Sequence, residues 1–326
     1  MANLLDITAS GKVRRFLCNL LSKSAAQLWA LGMTFAPPDQ ISDLVTLPRI
    51  PAWVTFSRAE TLEDVAFLSG APLNHLHLAL SREDVPYALL RQRLALRAAE
   101  ACVAVSGRPE RAGELRDAVH LLRPGDRPGP AGETCLAWQR AAVRPVSIKT
   151  LGRALPSFEP GQIATWLDAG EGAPIARAGM VLEAVLMKAP RADVAALILA
   201  DTAIAQALGW DHLVPLLAAG LKRADLRKQG VDLRLACNRA LISSVIEAVR
   251  QASDLARRVT HLKAVAPKLR AKGAGDAVEM FLTRDAVAPS ALPLPDRAAR
   301  RLCDRLVELG AVCELTGRDT FRLYGV

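Results

Sequence analysis

Eight cations near the C-terminal end of this 326-residue chain have types and spacings suited to holding phosphate groups. Arg297, Arg300 and Arg301 lie in DRAARR, Arg318 and Arg322 in TGRDTFR, and Lys268, Arg270 and Lys272 precede both. A guanidinium is planar, permanently charged and able to grip two phosphate oxygens at once. At about 100° per residue, Arg297 and Arg301 share one helical face and Arg300 falls at its margin. This chemistry is recognition, since nothing around these arginines resembles a paired nucleophile and base.

Elsewhere the reactive residue types lack the spacing that reactions need. His75 and His77 are two apart, which points their imidazoles away from each other on a helix and disfavours a metal pair. His120, His212 and His261 are isolated. Six cysteines are scattered without a CxxC, so reduced thiols are expected, with Cys102, Cys135 and Cys237 in apolar helical patterns as core residues. The loop LLRPGDRPGPAGE lacks the GxxxxGK[ST] order of a phosphate cradle. Glu60, Glu63 and Asp64 suit the dipole at a helix start. Arg91, Arg93 and Arg97, with Lys222, Arg223, Arg227 and Lys228, offer further basic surface. No catalytic residue, metal or cofactor is expected.

The cations need an element to aim them. From Asp296 to Gly310, Ala299, Leu302, Leu306 and Leu309 form one apolar stripe, with Asp296 as N-cap and Gly310 as left-handed terminator. The arginines crowd the first turns of this helix, the end with which a recognition helix meets base edges. Ala277, Val278, Phe281 and Leu282 mark a helix before it, and Pro289–Leu292 a brief one between. Val312–Leu315 and Thr320–Tyr324 read as hairpin strands around Gly317, with Arg318 at the tip and Phe321 and Leu323 anchoring the return. This order, helix, short helix, helix and hairpin, is that of a winged helix-turn-helix over residues 265–326.

In front of it, 51% hydrophobic but only 4% aromatic residues imply a core of Ala, Leu and Val, suited to close helix packing. The expected fold class is all-α: an N-terminal helical segment and Pro-rich connector at 1–50, a helical bundle body at 51–264, then the winged helix. Expected helices cover a stretch starting within Arg58–Asp64 and running towards Leu80 with a break at Gly70 and Pro72, then Pro86–Val105, Pro109–His120, Glu133–Arg144, Gly161–Ala169, Pro174–Lys188, Arg191–Leu208 and Asp211–Leu226. Leu233–Ala264 reads as one long helix, and Arg123–Gly132 as a loop. The apolar run from Phe16 to Ala36 is interrupted by Asn19, Lys23 and Gln27, too broken for a signal peptide or a membrane span.

A net charge of +9 favours polyanion partners. Residues 251–326 hold thirteen Lys/Arg against nine Asp/Glu, a net +4, so the tail's motif argues more strongly than its charge.

AETLEDVAFLSGA, LLRPGDRPGPAGE, HLVPLLAAGLKRADLR and the stretch from Asp296 to Val326 resemble an uncharacterised, mainly alphaproteobacterial family. Its members are often plasmid-borne in rhizobia and are known only as a domain of unknown function. The tail is also similar to the C-terminal winged helix of Fic-type proteins, although the HPFxxGNGR signature is absent, so no nucleotide transfer is implied. The sequence thus leads to a cytoplasmic DNA-binding protein of regulatory or plasmid-associated type, with no membrane partner and a homodimer if its site is palindromic. The rival expectations are a helical adaptor whose tail binds protein, and an enzyme of unrecognised class.

Overall fold

Helix dominates the chain from Trp53 onward, as its Ala- and Leu-rich composition requires. The computed structural model describes residues 50–56, 59–123, 125–269 and 272–326, all within one compact unit. The helices expected before residue 37, the proline connector up to Pro48, and Arg270 lie outside the described residues.

In chain order the α-helices are α1 (Trp53–Phe56), α2 (Leu62–Leu80), α3 (Tyr87–Val105), α4 (Ala112–His120), α5 (Gly129–Val143), α6 (Ile148–Ala154) and α7 (Pro160–Asp168). There follow α8 (Pro174–Lys188), α9 (Asp193–Ala207), α10 (Leu217–Gly220), α11 (Gly230–Val265), α12 (Ala274–Thr283) and α13 (Asp296–Glu308). Two short strands, β1 (Cys313–Glu314) and β2 (Tyr324–Gly325), pair antiparallel with Cys313 opposite Gly325.

The spine of the body is α11, 36 residues without an internal Gly or Pro. Its buried Leu233, Ala240, Leu241, Val245, Ala248, Ala252, Leu255 and Leu262 run along one side, where α2, α8 and α10 pack. Helix α9 is buried on every side from Ala195 to Ala205 and lies against α8, as its unbroken apolar sequence requires. Small residues let the helices approach closely. A Cβ at Gly220 would stand 2.4 Å from the Ala240 carbonyl oxygen, so α10 can meet α11 only there through glycine.

Several local expectations give way to tertiary packing. Helix α2 runs through Gly70 and Pro72 without a break. The lost backbone hydrogen bond costs about 3 kcal/mol, but Val65, Leu68, Leu73, Leu76 and Ala79 are all buried along the helix. Helix α5 starts at Gly129, inside the expected loop, because Pro130 suits a first turn. Its Gly132 faces Pro128 and Ala118 too closely for a side chain. The Asp211–Leu226 helix shrinks to α10 and a three-residue 3₁₀ turn at Asp225–Arg227. The buried Asp201 carboxylate accepts the N–H groups of Leu216 and Leu217, at 2.9 and 3.1 Å, and so fixes where α10 begins.

In the tail, α13 starts after Pro295, and Asp296 is its first residue and makes no side-chain cap. Gly310 does take the left-handed conformation, φ 65°. Between α12 and α13 stands one 3₁₀ turn, Pro289–Ala291. Each strand is two residues long, and Val287 adds a third β partner by exchanging two backbone hydrogen bonds with Tyr324. Leu323 is buried, whereas Phe321 projects outward, 70% exposed, with φ 54°.

Candidate functional site

Helix α13 buries Ala299, Leu302, Cys303 and Leu306 and turns its charged residues outward. Its arginines separate onto two hollows. Arg297, Arg301 and Arg305, one turn apart, line an open groove of about 750 Å³ together with Lys268, Leu269, Pro295, Ala298 and Leu302. Among the described residues no carboxylate lines it. Arg297, Arg301 and Lys268 are exposed and make no ion pair or side-chain hydrogen bond among the described residues. Arg305 pairs with Glu308 at 2.9 Å on the surface, a contact weak enough to exchange.

Arg300 and Arg322 belong to the second hollow, about 600 Å³, beside Asp296, Asp304, Asp319 and Phe321. Arg300 pairs with Asp296 at 2.8 Å. Arg322 donates to the Arg318 carbonyl at 2.9 Å and lies 3.5 Å from Asp319. This hollow is mixed in charge. Lys272 is exposed and lines neither.

Arg318 is committed to the body. Both of its terminal nitrogens reach Asp117 of α4, at 2.7 Å each, and it also donates to the Phe321 carbonyl at 3.0 Å. A second clamp lies deeper. Asp285, only 4% exposed, receives Nε and Nη2 of Arg116 from α4 at 2.7 and 3.1 Å. Nε of Arg93, from α3, lies 2.6 Å from the same carboxylate, off the hydrogen-bonding direction. Arg93 Nη2 donates to the Val326 oxygen at 2.8 Å. Burial lowers the Arg93 pKa and the Asp285 charge opposes that shift, so the guanidinium keeps its charge. At the far end of α13, His261 Nε2 of α11 stands 2.9 Å from the Leu309 carbonyl.

Arg93 is therefore internal and not part of a basic surface. Arg91 is buried as well, donating to the Ala142 carbonyl at 2.9 Å and stacking over Tyr87, while Arg97 lies near Glu247. The sequence reading missed Arg305, although it continues the i, i+4 row of Arg297 and Arg301. It also missed Asp117, Asp285 and Arg116, whose partners are more than 160 residues away in the chain. No local signal marks such pairs.

Other candidate groups have structural partners. His77 Nδ1 accepts the Trp210 indole N–H at 2.8 Å. Burial pushes the thiols of Cys102, Cys135, Cys237 and Cys303 up to about 12, too high for a nucleophile at neutral pH. Among the described residues no three His, Cys, Asp or Glu gather as a metal site, and no helix is long and apolar enough to cross a membrane.

A family model described as protein of unknown function (DUF1403) matches residues 38–326, from ahead of the first described helix through the tail. The chain belongs to the DUF1403 family. No curated protein matches it. The family match takes in both the seam around Asp285 and the basic groove, so body and tail fall within a single family unit.

Proposed function

We propose that this DUF1403 protein binds duplex DNA through α13, in a regulatory or plasmid-associated role, with the tail acting as a short-winged helix-turn-helix. The observation that carries the reading is the groove lined by Arg297, Arg301, Arg305 and Lys268, in which Arg297, Arg301 and Lys268 have no carboxylate partner among the described residues. Unpaired guanidiniums at successive turns can follow a phosphate backbone, and the leading turns of α13 stand free to approach a major groove. Helices α12 and α13, the turn at Pro289–Ala291 and the β pair bridged by Val287 support the winged-helix reading. In this arrangement Arg318 holds the hairpin on the body, and Arg300 and Arg322 flank the contact. A palindromic site would take two copies of the chain.

The test is salt-titrated fluorescence anisotropy of the full chain on a mixed-sequence duplex. Four cations meeting phosphate predict log K against log[salt] with a slope of about −3 to −4. Arg297→Ala with Arg301→Ala should reduce that slope by about two. Absence of binding at low salt, or a slope untouched by the double substitution, would overturn the proposal.

One observation favours an adaptor role instead. Phe321 stands exposed beside the mixed-charge hollow of Asp296, Arg300, Asp304 and Arg322, a combination that suits a protein surface better than a phosphate chain. Loss of a protein partner on Phe321→Ala, with DNA binding absent, would establish that reading.

A further inference from the structure

A second cationic groove lies in the body, away from α13. Helices α3, α5 and α6 enclose an open cavity of about 650 Å³, and its polar lining consists of Gln92, Gln139, Arg140, Arg144, Thr150 and Arg153. No carboxylate is among them. Arg140, Arg144 and Arg153 are exposed and have no ion pair or side-chain hydrogen bond among the described residues. The amides of Gln92 and Gln139 are half-buried and equally without a partner. Only Thr150 is engaged, donating to the Pro145 carbonyl at 3.0 Å.

Side chains that converge on one cavity without bonding one another leave their donors and acceptors free for a ligand, as the few convergent polar groups of a small-molecule site do. Three guanidiniums around one hollow sum to a positive field that favours an anion of comparable charge between them. A monocarboxylate offers two oxygens and a single charge. A phosphate or pyrophosphate group offers more of both, in a geometry that guanidinium forks match. The two amides, each able to donate and accept, are placed to bind a second polar part of the same molecule. The cavity volume falls in the small-molecule range of about 300–1,000 Å³. The half-buried glutamines are reached more readily by a small group than by a duplex backbone.

We propose that the groove between α3, α5 and α6 binds a small phosphate-bearing molecule, with Arg140, Arg144 and Arg153 holding the phosphate and Gln92 and Gln139 its polar remainder. This site is independent of the DNA reading and lies on different helices from the basic groove of α13.

Isothermal titration of the full chain with inorganic phosphate, pyrophosphate and ADP, beside a short oligothymidylate, tests it. Saturable binding of pyrophosphate or ADP is expected. Arg140→Ala with Arg153→Ala should weaken it about tenfold or more, the size of one lost charge-assisted hydrogen bond. Arg297→Ala with Arg301→Ala should leave it unchanged. Arg144→Glu provides a second variant with a single exposed change, should the double variant fold poorly. The proposal fails if none of the three small anions saturates, if the body variants bind as tightly as the parent, or if the tail variant abolishes binding. It fails too if the oligonucleotide alone binds and the body variants lose it.

Discussion

Two sets of arginines meet the tail, and they differ in one respect. At the seam with the body, Arg93, Arg116 and Arg318 each face a carboxylate, Asp285 or Asp117. On the outer face of α13, Arg297 and Arg301 face none, and Lys268 joins them in the same groove. Arg93 and Arg116 are largely buried, Arg318 is partly exposed, and all three direct their charge to a carboxylate within the fold. The outer ones keep their charge available, and the field they share favours an arriving anion. Arginine content alone therefore says little about binding, whereas the presence or absence of a partner carboxylate separates structural cations from available ones.

The most direct way to break this comparison is at Asp285. Asp285→Ala would leave Arg93 and Arg116 buried and unpaired, and such a loss costs about 3–5 kcal/mol. Urea denaturation should show that drop, and a variant within 1 kcal/mol of the parent, an effect typical of an exposed pair, would mean that the clamp does not hold the tail. Asp285→Asn, which retains the shape, tests whether charge or packing is responsible.

Next in size is Gly325, which lies at the same seam. A Cβ there would stand 2.5 Å from the Asp285 carbonyl oxygen and 3.1 Å from Arg93 Nη2. Gly325→Ala should destabilise by about 1–3 kcal/mol through overpacking, measured in the same unfolding experiment.

A contrasting carboxylate sharpens the picture. Asp201 is as buried as Asp285 but has two backbone N–H donors in place of arginines, and burial raises its pKa to about 7 while those donors oppose the rise. The folded chain therefore holds this proton at pH values where the unfolded chain, titrating near 3.8, has released it. Asp201 thus gives its full stabilisation below pH 4, and the contribution falls as pH rises to about 7 and levels off beyond. Asp201→Asn should flatten the stability profile across that window in thermal melts recorded at several pH values. An unchanged profile would exclude this group as its source.

The smallest effect on stability is expected on the outer face. Arg297→Ala with Arg301→Ala should leave unfolding within about 0.5 kcal/mol of the parent, even while reducing the salt dependence of the proposed DNA binding. A large loss of stability would place these residues with the seam arginines and remove the distinction.

Much of the helical framework could be read from the sequence because its signals are local. The stripe of Ala299, Leu302 and Leu306, the apolar run of α9 and the uninterrupted stretch of α11 each identify a helix within its own few turns. Where local and tertiary terms conflicted, the tertiary term prevailed. Pro72 continues a helix because the turns on either side of it bury apolar residues. The expected Asp211–Leu226 helix is cut to α10 and a separate 3₁₀ turn, and Asp201 and Ala240 fix where α10 starts and how closely it packs. In the candidate site, the i, i+4 row of Arg297 and Arg301 was legible, and Arg305 extends it. The partition of the other arginines was not.

The sequence by itself determined an all-helical body, the amphipathic helix ahead of Gly310 and the position of its cations along the chain, since hydrophobic periodicity acts over a few residues. Only the tertiary structure decided which cations are spent and which are available. Asp117 pairs with Arg318, and Asp285 with Arg93 and Arg116, across separations that no local pattern encodes. A charge is cancelled by what stands within a few ångströms of it, and that neighbourhood exists only once the chain has folded.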